Sequence, residues 1–232
     1  MKNKEDIIEL INNLQDKNNN KITYSYILES KNKKTKENNN FYIWFIISKE
    51  MIKSLQNNIN SQFFCDTTYR CIPPTIKNYK LFIISSYDFL EKKIFICAYI
   101  LIPNEKEETY TFIFDKLKKD FSFNPFIITL DHAKYISKAI KKIYPETIQV
   151  KCFFHFMQAI NKNLKKYGLI NKKNIKDNTE LIFNIKLLCF VDPSLLEKFY
   201  KDIENEYKKN KDYKKFFEYF NRQWLPYGRK KN

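Results

Sequence analysis

The sequence predicts an α/β fold with a mixed β-sheet and helices on its faces. Hydrophobic residues make up 44% of the 232 residues, which is enough to build a buried core. Three β-rich runs follow one another at residues 62–65, 79–85 and 94–102. Patterns typical of helices and of strands then alternate, so the order from residue 62 is β-β-β-α-β-α-β-α. A strand meander followed by such alternation indicates a sheet with both antiparallel and parallel neighbours.

The segment ahead of these runs predicts two helices and two strands. Residues 1–16 place isoleucine and leucine at helical spacing. Residues 17–40 are rich in Lys and Asn, which is typical of a solvated loop, and contain one short strand at 22–28. A buried strand is predicted at 41–48 and a short helix at 49–55.

The alternating part of the sequence predicts two more strands and three helices. Apolar spacing and turn residues place them at 107–119, 125–130, 133–143, 147–151 and 153–167. Pro145 ends the second of these helices and Gly168 caps the third. After residue 170 the pattern is helical, with apolar stripes at 195–207 and 216–220.

This organisation predicts three regions. Residues 1–58 form an N-terminal helix and strand extension, residues 59–170 form the α/β core, and residues 171–232 form a helical region. Because residues 1–60 contain neither Cys nor His, we expect no zinc-binding module in the extension.

Charge and composition narrow the functional classes. The net charge of +16 suggests a polyanionic partner such as nucleic acid, although a chain rich in Lys, Asn and Ile is also typical of A- and T-rich coding bias. Two glycines cannot form a Gly-rich phosphate loop, and two histidines exclude sites built on several histidines. Five irregularly spaced cysteines, the lack of a signal segment and apolar runs too short to cross a bilayer predict a reducing intracellular compartment and no membrane partner.

Two aspartates occupy parallel positions in this pattern. Asp66 follows the apolar run 63–65, and Asp131 follows the run 127–130. Ligands of α/β sheets usually bind at the carboxyl ends of strands, and two carboxylates brought together there favour a divalent cation such as Mg²⁺ or Mn²⁺. The alternative is that both residues form turns, with Asp131 as the N-cap of the next helix.

Blocks around these aspartates resemble Mutator-like (MULE) transposase domains. Asp-Thr-Thr-Tyr-Arg at residues 66–70, followed by Pro73-Pro74, resembles the first aspartate block of that family. Ile-Thr-Leu-Asp at residues 128–131 resembles the second, and the Cys-x-x-His segment at residues 152–155 resembles the block that follows. The resemblance covers about residues 41–228, and the order and spacing of the blocks make it specific.

This resemblance implies an RNase H-like fold and a DDE-type DNA transposase that cuts and joins DNA. Asp66 and Asp131 match the first two metal-binding, catalytic carboxylates, which would hold two Mg²⁺ or Mn²⁺ ions. The implied partners are transposon ends and target DNA, and the implied compartment is the nucleus. A homo-oligomer is compatible with this function.

The sequence departs from the family in two places. Thr67 stands where the family has Gly, so the turn after Asp66 is expected to differ, and Tyr69 stands where it has Phe. The third acidic ligand is unknown and is expected beyond Asn232, so the catalytic domain would be incomplete; Glu218 is the nearest substitute. The alternatives are a non-catalytic DNA-binding or regulatory remnant of a transposase and an RNase H-like nuclease.

Other residues are candidates for DNA contacts. Three interpretations of Cys152 and His155 remain open. They form half of a zinc site, they have only a structural role at a strand end and in a helical turn, or they contact DNA at the active site together with Arg70. Two groups of lysines follow the second aspartate on predicted helices and either contact the DNA backbone or form solvated helix faces. These are Lys138, Lys141 and Lys142 in the first helix, and Lys162, Lys165 and Lys166 in the second.

Overall fold

The computed structural model divides the chain into two compact units, Met1–Cys152 and Phe153–Asn232. It describes residues 4–15, 21–31, 38–56, 62–68, 71–88, 91–170, 178–207 and 211–225. The boundaries predicted from the sequence lie after residues 58 and 170, whereas the compact units divide after Cys152. Each unit has its own buried core.

Unit 1 is built on a seven-stranded sheet with the order β1-β2-β5-β4-β3-β6-β7. The strands are β1 (Thr23–Lys31), β2 (Asn38–Ile47), β3 (Gln62–Thr68), β4 (Lys80–Asp88), β5 (Lys93–Ile102), β6 (Ile127–Leu130) and β7 (Ile148–Lys151). In this spatial order, each neighbouring pair among β1, β2, β5, β4 and β3 is antiparallel. Strand β6 pairs in parallel with both β3 and β7. The predicted mixed sheet is therefore confirmed, and β1 and β2 extend it beyond the predicted core.

Described helices pack on both faces of this sheet. The helices of unit 1 are α1 (Lys4–Asn12), α2 (Lys49–Gln56), α3 (Glu107–Phe121) and α4 (Lys134–Ile143). Apolar residues of α2, α3 and α4 pack with Phe63, Phe82 and Ile100 into the largest core cluster. On the opposite face, Ile11 of α1 packs near Trp44 in a smaller cluster.

Local sequence signals explain where the helices of unit 1 begin and end. Acidic residues occupy the first turn of α3 and lysines its last turn, which complements the helix dipole. Ser122 then adopts a left-handed conformation with φ of 53°. Helix α4 ends before Pro145, as predicted.

Unit 2 is helical in the part that the structure describes. It contains α5 (Phe153–Lys166), α6 (Thr179–Leu187), α7 (Leu196–Tyr207) and α8 (Lys211–Trp224). Gly168, with φ of 75°, ends α5 as predicted, and the Leu169 N–H donates to the Leu164 carbonyl in a Schellman-type cap. Within these four helices, none is long and apolar enough to cross a bilayer, and the same holds for the described helices of unit 1.

A buried polar network stabilises the core of unit 2. Asn178 is 3% exposed, and its amide donates to the Leu169 carbonyl at 2.6 Å. The Tyr213 hydroxyl donates to Asn178 Oδ1 at 2.7 Å, which ties α8 to the start of α6. The predicted stripe at 195–207 is buried only in part, because Leu195 and Phe199 are exposed while Tyr200 and Ile203 face the core.

Candidate active site

The parallel pairing of β3 with β6 brings Asp66 and Asp131 to the same edge of the sheet. Cys65 is the register partner of Leu130, and each aspartate is the next residue of its chain segment. Neighbouring strands lie about 4.8 Å apart, so the two aspartates follow adjacent strands at equivalent positions. The predicted juxtaposition therefore follows from strand register rather than from proximity in sequence.

Asp66 lies inside a strand rather than at its end. Strand β3 continues through Thr67 and Thr68 because β4 still pairs with it there, with Asp66 opposite Ile83. The turn that the sequence predicted directly after Asp66 is therefore absent, and Thr67 has ordinary extended backbone geometry. Because side chains alternate along a strand, Asp66 points away from the buried Cys65 and is exposed.

A local backbone hydrogen bond orients each carboxylate. The Thr67 N–H donates to Asp66 Oδ1 at 2.9 Å, and the Ala133 N–H donates to Asp131 Oδ1 at 2.8 Å. The N-cap residue of α4 is Ala133, so the interpretation of Asp131 as the helix cap is wrong. Asp131 instead forms an Asx-type turn. A carboxylate has two oxygens, and either oxygen can act as a metal ligand.

Tyr110 of α3 anchors the end of β3 that carries Asp66. Its hydroxyl lies 3.0 Å from Thr67 Oγ1, and the residue is 2% exposed. Burial raises the pKa of Tyr110 above its ordinary value, so the phenol remains protonated at neutral pH. Sequence analysis missed this residue, since the apolar stripe of α3 shows that Tyr110 is buried but not which strand residue it meets.

Both aspartates affect the pKa of the buried Cys65 thiol. Burial raises the pKa of the Cys65 thiol, and Cys97, Asp66 and Asp131 raise it further. Cys65 thus remains a neutral thiol, which makes it a poor nucleophile and metal ligand. That Asp66 and Asp131 act on the same buried atom agrees with their placement on adjacent strands.

Lys151 is a second residue that sequence analysis missed. It is the register partner of Leu130 on β7, and its Nζ donates to the main-chain carbonyl of Asp131 at 3.3 Å. This bond places a cation next to the backbone of the second aspartate. Only the β6–β7 register identifies it among the many lysines of the chain.

The Cys-x-x-His segment is divided between the two units. Cys152 ends unit 1, where its N–H donates to the Leu130 carbonyl at 2.8 Å, and His155 lies in the first turn of α5 in unit 2. Among the described residues, no group of three or more His, Cys, Asp and Glu side chains is arranged to hold a metal ion. Arg70 and Tyr69 lie outside the described residues.

The predicted DNA-contacting lysines have different environments. On α4, Lys138 pairs with Glu107 at 3.3 Å, whereas Lys141 and Lys142 are exposed in the last turn. On α5, the six residues that line a groove include Lys162 and Lys165. Lys166 instead lies over the Tyr167 ring, with its ammonium 5.7 Å from the ring centroid.

Comparison with known proteins identifies the segment that carries the two aspartates. Residues 62–159 match the family model described as the MULE transposase domain. The match runs from the start of β3 into the middle of α5. No curated protein matches the sequence. Residues 62–159, which contain both Asp66 and Asp131, are therefore similar to the MULE transposase domain.

Proposed function

We propose that this chain is the catalytic domain of a DNA transposase that cleaves and joins DNA strands at Asp66 and Asp131. The observation that carries the proposal is the parallel register of β3 and β6, which aligns the two carboxylates within the segment that matches the family. The net charge of +16 favours a polyanionic substrate. Chromosomal DNA as substrate would place the protein in the nucleus.

The sheet topology supports an RNase H-like fold for this domain. From β3 onward the element order is β-β-β-α-β-α-β, which is the order that the resemblance implies. Strands β5, β4 and β3 form an antiparallel meander, and β6 and β7 add to it in parallel. In such a sheet, the carboxyl ends of β3 and β6 provide a common edge for a ligand.

The two carboxylates fit a hard divalent cation. Mg²⁺ is commonly bound by one or two carboxylates, with waters and substrate phosphates as the other ligands. Asp66 is exposed and Asp131 is half-buried, so both can be reached from solvent. A bound pair of Mg²⁺ or Mn²⁺ ions would supply an activated oxygen nucleophile and stabilise the leaving oxygen.

In the proposed reaction, water attacks a phosphorus atom as the bond to the 3′ oxygen breaks, leaving a 3′-hydroxyl and a 5′-phosphate. That 3′-hydroxyl then attacks a target phosphodiester, and the target strand releases its own 3′-hydroxyl. The contribution of the chain is positional, since the Thr67 and Ala133 amides hold the two carboxylates in place. Tyr110 holds the strand end that carries Asp66.

A non-catalytic DNA-binding remnant of such a transposase is the second candidate. The absence of a third ligand beside the two aspartates, within the part of the chain that the structure describes, favours it. Glu218, the nearest substitute in the sequence, is exposed on α8 in unit 2. A remnant would bind DNA through its basic residues without cutting it.

A nicking assay separates the two candidates. The purified chain is incubated with supercoiled plasmid and Mg²⁺, then with Mn²⁺, and with a chelator as the negative reaction. For a catalytic domain, Asp66→Asn and Asp131→Asn each reduce nicking by roughly 10³-fold, because a lost metal ligand removes several kcal/mol of transition-state stabilisation. Both variants should still bind DNA with the steep salt dependence of phosphate contacts.

The matched control for this assay is Asp88→Asn. Asp88 ends strand β4 of the same sheet, and its Oδ1 accepts a hydrogen bond from the Glu91 N–H at 3.1 Å. Like the two proposed ligands, it accepts a local hydrogen bond from a main-chain amide, but it lies outside the site. If the chain binds DNA but does not nick it with either metal, the result supports the non-catalytic remnant. If all three variants lose nicking activity equally, the assignment of Asp66 and Asp131 as metal ligands is contradicted.

A further inference from the structure

Helix α5 presents one accessible face to a groove of about 480 Å³ in unit 2. The residues that line it recur at helical spacing and are Phe154, Met157, Gln158, Asn161, Lys162 and Lys165. The opposite face of the helix is buried, with Phe156, Ile160 and Leu164 in the core of unit 2. On the groove face, Met157 also packs against that core, whereas Phe154 is not among the residues of that cluster.

The side chains of this face combine an exposed ring, amides and cations. Phe154 is 67% exposed at the first turn, although burial of that ring would stabilise the fold. Gln158 is exposed and Asn161 half-buried, and both carry amides that can donate and accept. Lys162 and Lys165 are exposed, and none of the six lining residues is acidic. The face therefore suits an anionic ligand that also has flat apolar surfaces.

We propose that the α5 groove binds unpaired nucleotides of a DNA strand. The Phe154 ring stacks on a base, the amides contact base edges, and Lys162 and Lys165 contact phosphates. From residue 154 to residue 165 the helix rises about 16 Å, which accommodates a few nucleotides of an extended strand. That the strand is DNA rests on the proposed function; the preference for unpaired nucleotides rests on the groove itself.

An unpaired strand fits this groove better than a duplex or a protein does. Bases in a duplex are stacked on one another, so an exposed ring finds no free base face and only the lysines would contribute. Protein docking grooves are depleted of lysine in their centres, whereas the described residues that line this groove include two lysines and no acidic residue. Charge complementarity therefore favours a polyanion with exposed rings.

The test compares single-stranded and duplex DNA binding by the full chain, measured by fluorescence anisotropy with oligothymidylate and a duplex of the same length. Phe154→Ala should weaken single-strand binding about tenfold and leave duplex binding within about twofold, because only the unpaired base stacks. Phe154→Trp should retain the affinity, which excludes a folding defect as the cause. The matched control is Phe183→Ala, since Phe183 is 56% exposed on α6 and does not line the groove.

The lysines give a second, independent readout. The double variant Lys162→Gln/Lys165→Gln should reduce the slope of log affinity against log salt by about 1.4 for single strands. The control pair Lys214→Gln/Lys215→Gln removes the same charge from exposed positions of α8. An equal effect of the control pair would overturn the assignment, because binding would then depend on net charge and not on the groove.

Failure of this inference is distinguishable from failure of the proposed function. If the chain nicks DNA and Phe154→Ala binds single strands as the unmodified chain does, the groove proposal is wrong and the transposase proposal stands. If nicking never occurs but Phe154→Ala selectively loses single-strand binding, the groove proposal stands alone. Equal losses for single strands and duplexes, or a groove that captures a protein without affecting DNA affinity, would overturn it.

Discussion

In unit 1 the two site aspartates come from strands that are far apart in sequence, whereas in unit 2 all six groove residues come from one helix. The aspartates lie at equivalent positions of neighbouring chain segments because β6 pairs with β3 in parallel register. The groove residues meet because positions three and four apart share a helix face. The first site therefore depends on the whole sheet being formed, and the second depends on α5 and its immediate packing.

This difference predicts that the two units respond separately to damage in their cores. Phe114 is fully buried in the core of unit 1, and Phe216 is fully buried in the core of unit 2. Phe114→Ala and Phe216→Ala should each cost about 3–5 kcal/mol in the free energy of unfolding of the unit concerned. This is the largest expected effect.

Each unit contains one tryptophan that can report its unfolding. Trp44 packs in the smaller cluster of unit 1, and Trp224 packs against the core of unit 2. Single-tryptophan variants made with Trp224→Phe and Trp44→Phe allow denaturant unfolding of each unit to be followed by fluorescence. If Phe114→Ala shifts both transitions equally, the chain unfolds as one cooperative unit and the comparison fails.

A smaller effect is expected from alkaline pH in unit 1. Burial raises the pKa of the Cys97 thiol to about 12, and it also raises the pKa values of Cys65, Tyr110 and Tyr144. These groups ionise at a lower pH in the unfolded chain, so their contribution is complete below the unfolded pKa and is lost as the pH rises above it. Between pH 9 and pH 10, unit 1 should lose about 3 kcal/mol of stability.

Cys97→Ala supplies the control for this pH dependence. The two thiols have lower unfolded pKa values than the two tyrosines, so removal of Cys97 should flatten the decline between pH 9 and pH 10 by roughly a third. The measurement is the denaturant midpoint read at Trp44 at each pH. A midpoint that does not change over this interval would show that these side chains are not buried as described.

The smallest expected effect concerns single hydroxyl groups. Tyr110→Phe removes the hydrogen bond to Thr67 and should destabilise unit 1 by about 1 kcal/mol. Tyr213→Phe removes the bond to Asn178 and should cost unit 2 a similar amount. Only Tyr110→Phe should also slow nicking through a lower kcat with little change in KM, because Tyr110 positions the strand that carries Asp66.

Nicking separates a positioning role from a purely structural one. If Tyr110→Phe and Tyr213→Phe lower the unfolding free energy alike and neither changes kcat, Tyr110 only stabilises the fold. If kcat changes for Tyr213→Phe and not for Tyr110→Phe, the positioning role belongs to the hydroxyl in unit 2 and not to the one in unit 1.

Much of the architecture was predictable because local signals agreed with the final packing. The alternating apolar patterns predicted the element order of the sheet, and Gly168 predicted the end of α5. The stripe at 195–207 was less informative, since Leu195 and Phe199 belong to a neighbouring face of the same helical periodicity. Tyr200 is buried in the core instead, and its ring stacks on that of Phe220 with the centroids 5.3 Å apart.

The candidate sites also combine features that are visible in the sequence with features that depend on tertiary contacts. The residue types and strand context of Asp66 and Asp131 were visible in the sequence, as were the lysines of α5. The sequence did not show that β3 continues past Asp66, because that extension depends on pairing with β4. The roles of Tyr110 and Lys151 were equally hidden, since each follows from a contact between separate elements.

The sequence by itself determined which segments form strands and helices, which helix faces are apolar, and that the chain is strongly basic. These properties depend on residue type and on spacing over a few positions. Only the tertiary structure decided that Cys65 pairs with Leu130 and so aligns Asp66 with Asp131. Strand register is a long-range choice among many pairings, and the burial of a common core selects it.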